Sequence, residues 1–190
     1  MYSEILAWID WNLVGCAAVL FSMGVIVGPK VVERNVTFLT AYPLWISEWL
    51  EKVLQRKPGF ARLFLLIFCF NATSLFASFV SGFAGILPFL FAFWTGLNVA
   101  VITFTVAGRL GLATVFLNPV ALFELPAAWI ALAVGMTLGL EVVSPMLGVR
   151  LAALFGRLVG VYLFVVLPLL LVAGLIEAAM IFFTLRHNSD

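Results

Sequence analysis

Long apolar runs alternate with short polar segments along the chain, and this pattern predicts membrane-spanning helices. A helix needs about 20 apolar residues to cross a bilayer. The glycines and proline of 81–88 divide the uncharged stretch between Arg62 and Arg109 into two spans. Pro29 and Lys30 are expected to end the first span, and Pro168 to bend the last. The five predicted spans are 13–28 (extended by Trp8, Ile9 and Trp11), 62–80, 85–107, 118–140 and 157–185. Four spans plus a re-entrant segment is the alternative.

One stretch, 43–57, has a different pattern. Apolar pairs recur every four residues, beginning with Trp45 and Ile46, and polar residues fill the gaps. This period predicts a helix with one apolar face and one charged face. Tryptophans on the apolar face favour a helix lying flat at the membrane surface. The alternative is that the same face packs against the spans.

Composition agrees with this pattern. The chain is 65% hydrophobic and 10% charged, with a mean hydropathy of +1.22. A soluble domain is nearer half apolar and one quarter charged. We therefore expect an all-α, polytopic membrane protein with a single transmembrane domain over residues 1–190 and the lipid bilayer as its surroundings. A net charge of +1 with no basic patch argues against nucleic acid as a partner.

The positions of Lys and Arg predict the orientation. Short cytoplasmic loops carry an excess of these residues. Six lie between the first and second spans, Arg109 follows the third, and Arg186 follows the fifth; only Arg150 and Arg157 fall on the other side. Eight against two predicts an external N-terminus and a cytoplasmic C-terminus.

Small residues recur every four positions on three of the predicted spans. In lipid, such residues let helix backbones approach closely. They form either a homodimer contact or ordinary packing within the chain, and the sequence leaves both open. The positions are Ala127, Ala131, Gly135 and Gly139 in the fourth span, Gly24 and Gly28 in the first, and Gly156 and Gly160 in the fifth.

Polar residues inside the spans are the candidate functional groups. An acid at the bilayer centre costs roughly 2.5–3.5 kcal/mol, so Glu124 and Glu177 are expected to face the protein interior or water. Pro126 removes a backbone donor beside Glu124 and is expected to weaken the helix there. Glu124 is then either a proton or ion site at a broken helix, or a hydrogen-bonded acid that holds a kink. Asn71 and Asn98 are expected to link helices.

The sequence holds no pattern typical of an enzyme. The sole histidine, His187, lies in the tail, and there is no nucleotide-binding loop, no Cys/His metal spacing and no serine elbow. We therefore expect no catalytic residue, no cofactor and no metal site. An intramembrane hydrolase would require the Glu124 and Glu177 carboxyl groups to meet.

Three stretches together resemble the stage II sporulation protein M family of bacterial and archaeal membrane proteins. The resemblance covers about residues 60–185, and the Glu-Leu-Pro segment ending at Pro126 is its most specific part. The matching positions are Asn71, Gly82, Gly96, Asn98, Phe123 to Pro126, Leu138, Gly139, Pro168, Glu177 and Ala178. Family members often carry His-Gly where this chain has Val120 and Ala121. That difference removes an ionisable partner for Glu124.

The resemblance implies a multi-pass protein of the bacterial or archaeal plasma membrane. In spore formers it implies a scaffold that assembles with peptidoglycan-processing enzymes during engulfment, not the hydrolase itself. Our first hypothesis is therefore a non-enzymatic scaffold, assembling as a homodimer or with cell-envelope proteins. The alternative is a proton- or ion-coupled transporter or channel that uses Glu124.

Overall fold

The structure, a computed structural model, describes residues 2–144 and 149–187, and within them every regular element is a helix. In this part of the chain the α-helices are Tyr2–Leu6 (α1), Trp11–Glu33 (α2), Thr37–Leu54 (α3), Phe60–Val80 (α4), Leu87–Leu117 (α5), Ala121–Val143 (α6), Val149–Val161 (α7) and Leu167–His187 (α8). A 3₁₀ turn over Ser81–Ala84 continues α4. A π-helical stretch over Tyr162–Val166 joins α7 to α8. The predicted all-α fold is confirmed.

Five helical segments of the described residues are long and apolar enough to cross a membrane. They are Trp11–Glu33, Phe60–Ala84, Leu87–Ala113, Ala121–Val143 and Leu151–His187. This count agrees with the five predicted spans. The last span is longer than predicted because α7, the π-helical stretch and α8 form one continuous helix.

Helix α6 is the central span of the bundle. In its membrane-crossing stretch 61% of the residues are buried, against 28–33% in each of the other four spans. Helices α2, α4, α5 and α8 all pack against it. Most side chains on α6 therefore face protein, and Glu124, in its first turn, is partly buried.

Helices α2 and α5 run side by side at backbone contact. A β-carbon added at Gly24 would overlap the backbone of α5, and one added at Gly96 would overlap the carbonyl of Phe21 on α2. One added at Gly28 would collide with the side chain of Ala100. Glycine is required at this contact because any side chain would push the two helices apart.

The same contact explains why Pro29 does not end the first span. Helix α2 continues through Pro29 to Glu33, so the predicted stop is wrong. Proline removes one hydrogen bond from the helix. Residues on both sides of it, Gly28 and Val31, are buried against neighbouring helices. Tertiary packing therefore outweighs the local preference of proline.

Helix α5 is broken near its end, close to the predicted boundary at 107. Gly108 has φ 61° and ψ −156°, a conformation outside the helical region that favours glycine. Beyond it, Gly111 returns to lie against Ala107 and Thr103. In an unbroken helix Thr103 would lie two turns away from Gly111. The segment after Gly108 therefore turns back towards the preceding turns of α5, which the sequence analysis did not predict.

The column of small residues on α6 packs inside the chain. Ala127 and Ala131 are fully buried. A β-carbon on Gly135 would lie 2.9 Å from the carbonyl oxygen of Ser78, and one on Gly139 would overlap the carbonyl oxygen of Gly85. Helix α4 and the turn after it fill this groove. The position of the column favours intramolecular packing over a homodimer contact.

Two of the predicted packing positions are open instead. A β-carbon added at Gly156 or Gly160 meets no described atom within 4 Å. Arg157 lies between them and places its guanidinium 4.3 Å from the ring centre of Trp8, just after α1. Helix α7 therefore presents a face of small residues that the described part of the chain leaves uncovered.

The amphipathic helix α3 begins and ends earlier than the predicted 43–57. Leu39 and Leu44 pack against a cluster formed by α2 and α5. Trp45 is 61% exposed, and Trp49 stacks on Phe70 of α4. The apolar surface of α3 thus divides between the bundle and the surroundings. Its contacts agree with packing against the spans, and its position at the membrane surface stays a prediction.

Candidate functional site

Glu124 is positioned by the start of α6. The Asn118 side-chain oxygen accepts a hydrogen bond of 3.0 Å from the Val120 N–H, as an N-cap does. The Glu124 N–H then donates to the Val120 carbonyl at 3.0 Å. Glu124 therefore lies in the first turn of α6, where the positive end of the helix dipole favours a carboxylate.

Pro126 does not interrupt α6. The helix runs unbroken from Ala121 to Val143 with this proline inside it, which argues against the broken-helix alternative for Glu124. The expected weakening beside Glu124 stays a prediction. The proline deprives only the Leu122 carbonyl of its helical donor, and Leu122 belongs to the first turn. One lost bond so close to the helix end leaves the following turns intact.

Asn71 and Glu124 join two spans. The Asn71 side-chain amide donates to the Glu124 carboxyl oxygen at 3.1 Å, linking α4 to α6. Both side chains are partly buried. The amide is thus a partner for an acid that would otherwise be costly in a membrane. Asn71 occupies this position because α4 packs along α6 through the glycine contacts described above.

Glu177 brings a second carboxyl group to the same region from α8. It lies within electrostatic range of Glu124 and is itself partly buried. Asn71, Glu124 and Glu177 form what we call the polar junction of α4, α6 and α8. All three residues were predicted separately from the sequence, and the packing of α4, α6 and α8 brings them into one region.

Tyr162 is a neighbour of the junction that sequence reasoning missed. Its hydroxyl donates to the backbone carbonyl of Ala72, next to Asn71 on α4. The π-helical stretch places this side chain, since the Leu167 N–H bonds to the Tyr162 carbonyl instead of forming a regular α-helical bond. Such stretches are frequent at functional sites. In the sequence, only Pro168, just beyond this stretch, indicated that the helix is irregular here.

Asn98 lies apart from the hydrogen bonds of the junction. Its side-chain oxygen is buried and has no hydrogen-bond partner among the described residues, and the same is true of the Trp129 indole nitrogen. Thr95, one turn earlier on α5, donates to the Phe91 carbonyl in its own helix. The structure therefore gives Asn98 no helix-linking bond within the described part of the chain.

The junction offers acids and an amide but no metal centre. Over residues 2–144 and 149–187, no group of three His, Cys, Asp or Glu side chains could hold a metal ion. The junction's hydrogen bond between helices runs from Asn71 to Glu124, and Glu177 adds a second acid within electrostatic range.

The comparison with known families agrees with this architecture. The sequence matches the family described as Stage II sporulation protein M over residues 17–180, which is most of the chain. The chain belongs to the stage II sporulation protein M family. No curated protein and no solved structure matches it. The match extends from α2 to α8, so the polar junction lies within the family region, and the resemblance inferred from the Glu-Leu-Pro segment is confirmed.

Proposed function

We propose that this member of the stage II sporulation protein M family is a non-enzymatic membrane scaffold. The hydrogen bond between Asn71 and Glu124 carries the proposal, because it gives the intramembrane acid a role in holding two spans together. Helix α6 is unbroken at this point and is the most buried span. These features are typical of a rigid core that positions other surfaces for assembly.

The scaffold lies in the plasma membrane with its N-terminus outside and its C-terminus in the cytoplasm. Seven of the ten Lys and Arg residues lie at one end of the bundle, which we call the cation-rich end. They come from the ends of α2 and α8, the start of α4, helix α3 and the loops on either side of α3. The positive-inside rule assigns this end to the cytoplasm.

The open face of α7 is the proposed contact for a second copy or for another envelope protein. In spore formers, the family resemblance suggests peptidoglycan-processing enzymes as partners. A β-carbon added at Gly156 or Gly160 would meet no atom of residues 2–144 and 149–187 within 4 Å, whereas Gly135 and Gly139 are tightly packed.

A photo-cross-linking amino acid placed at Gly156 tests the proposal in native membranes. We expect a discrete protein adduct, and two differently tagged copies of the chain distinguish a homodimer from a different partner. Ile26, which is 71% exposed on α2, is the matched position for a lipid-facing site and should give lipid adducts only. Lipid adducts alone at both positions would contradict a scaffold that uses α7.

A transporter remains the second candidate because two carboxyl groups lie within electrostatic range at the junction. This candidate requires protons to reach Glu124. Infrared spectra of the wild type and of Glu124→Gln across a pH series would detect that access. Proton flux into proteoliposomes that disappears in Glu124→Gln would replace the scaffold proposal with transport. A carboxyl band that does not titrate, with no flux, would support the scaffold.

A further inference from the structure

A cavity of about 210 Å³ lies at the cation-rich end of the bundle. Its walls come from the loop between α3 and α4 and from the last turns of α8. The lining residues are Lys57, Pro58, Gly59, Phe182, Leu185 and Arg186. This cavity is separate from the polar junction and has no part in the proposed scaffold contact.

The cavity has two cations and apolar walls. Lys57 and Arg186 supply the charge from different parts of the chain, and none of the six lining residues is acidic. Phe182 and Leu185 supply an apolar wall on the side of the membrane-spanning helix. A ligand that matches this lining has an anionic group attached to an apolar body.

The Arg186 side chain is held in place by aromatic contacts. Its guanidinium carbon lies 4.5 Å from the ring centre of Phe182. Phe60, the first residue of α4, packs edge-on against the same ring at 5.9 Å between centroids. A guanidinium that lies over a ring beside the cavity is suited to bidentate contact with a phosphate.

The backbone of the loop adds to the positive potential. The residue that precedes α4 is Gly59, so no side chain caps this helix. The N–H groups of the first turn of α4 therefore start beside the two cations, and helix N-termini favour anions. This contribution supports the side-chain charges and would not make a site without them.

We propose that this cavity binds a phosphate group, with an anionic phospholipid headgroup at the cytoplasmic leaflet as the expected source. The apolar wall favours binding of a lipid over binding of free phosphate. A lipid would bury its glycerol and first methylene groups against Phe182 and Leu185, which free phosphate cannot do. Juxtamembrane Lys and Arg attract anionic lipids by about 1 kcal/mol each.

Native mass spectrometry of the full-length protein in detergent tests the site. Phosphatidylglycerol, phosphatidylcholine and inorganic phosphate are titrated separately. We expect retained phosphatidylglycerol adducts on the wild type and about 30-fold weaker binding on Lys57→Gln/Arg186→Gln, since two cations are lost. The matched control is Lys52→Gln/Arg56→Gln, which removes the same charge from exposed positions nearby. It should bind like the wild type.

If the double variant does not fold, a conservative single variant still tests whether Arg186 binds the phosphate. Arg186→Lys retains the charge but loses the planar donor pair, and it should weaken phosphatidylglycerol binding by several-fold in a folded protein. Displacement of phosphatidylglycerol by inorganic phosphate, with saturable phosphate binding that needs Arg186, would assign the site to a soluble anion.

Two results would overturn the proposal. One is equal binding by the cavity variant and the matched control, which would mean diffuse attraction to the charged end. The other is a folded cavity variant that loses thermal stability while its lipid binding is unchanged. In that case the cations would serve only to offset the negative C-terminal end of α8. Neither result bears on the scaffold contact at Gly156.

Discussion

At the scale of single residues, the bond between Asn71 and Glu124 shows how the fold accommodates an acid within a span. The acid lies in the first turn of α6, and a neighbouring span supplies its donor. An unpaired carboxyl at this position would cost more free energy than the bond itself contributes. The two side chains are therefore expected to depend on each other for stability.

A double-mutant cycle measures this dependence. Asn71→Leu and Glu124→Met each remove one partner of the bond and are expected to destabilise the folded protein. Their coupling should be about 0.6 kcal/mol, the average for hydrogen bonds between membrane helices. Unfolding in mixed micelles gives the free energies. Thr73→Val, at an exposed position on α4, is the control and should have little effect. Additive effects of the two substitutions would mean that the bond does not stabilise the bundle.

The ion pair between Arg109 and Glu33 is expected to contribute far less. The atoms are 3.2 Å apart, but the side chains are 81% and 47% exposed. Exposed pairs contribute about 0–1 kcal/mol and are weakened by salt. Arg109→Gln should therefore change the free energy of unfolding by about 0.5 kcal/mol or less. A larger loss that persists in high salt would show that the pair holds the segment after Gly108 in place.

At the scale of helices, glycine determines how closely the spans approach. Gly96 faces the backbone of Phe21, whereas Gly156 faces open space on α7. The same substitution should therefore have opposite consequences at the two positions. This contrast tests the packing without requiring any assumption about function.

Gly96→Ala should destabilise the protein by about 1–3 kcal/mol, the usual cost of overpacking a core. Gly156→Ala should be neutral or slightly stabilising in the isolated chain, because alanine is the better helix former. Thermal unfolding of the two purified variants measures both effects. An equal loss at Gly156 would show that α7 is covered in the isolated protein, and a neutral Gly96→Ala would contradict the α2–α5 contact.

The helices themselves could be predicted largely from hydrophobic length, while their interruptions could not. The run before Val80 and the run after Pro119 gave spans within about three residues of α4 and α6, because roughly 20 apolar residues leave few alternatives. The predicted end of the first span at Pro29 was wrong, because whether a proline ends this helix depends on how the helix packs against α5. The break at Gly108 and the π-helical stretch before Pro168 also depend on contacts between helices.

The candidate site was predictable in its residues but not in its geometry. Charge in an apolar run identifies Glu124 and Glu177 as unusual, whatever the fold. Their proximity depends on the order in which α4, α6 and α8 pack. Tyr162 escaped notice because a tyrosine in a span is common, and its contact with the Ala72 carbonyl requires the wider turn of the π-helical stretch.

At the scale of the whole molecule, the polar segments are distributed unequally between the two ends of the bundle. Helix α3 and the Lys and Arg residues around it lie at one end, while α1 and the start of α7 lie at the other. Because the described residues hold an odd number of candidate spans, we expect residues 2 and 187 to lie on opposite sides of the membrane. The orientation of the protein in the membrane therefore decides which side the scaffold contact on α7 faces and which leaflet the phosphate site meets.

Cysteine labelling of intact cells decides that orientation. With Cys16 and Cys69 replaced by alanine, a cysteine at Ser3 or at Glu141 should react with a membrane-impermeant maleimide added outside, since both positions are exposed at the N-terminal end. A cysteine at Lys52 should react only after the membrane is opened. Labelling of the Lys52 position from outside would reverse the orientation. The cation-rich end would then face away from the cytoplasmic leaflet, and an anionic lipid at Lys57 and Arg186 would have to come from the outer one.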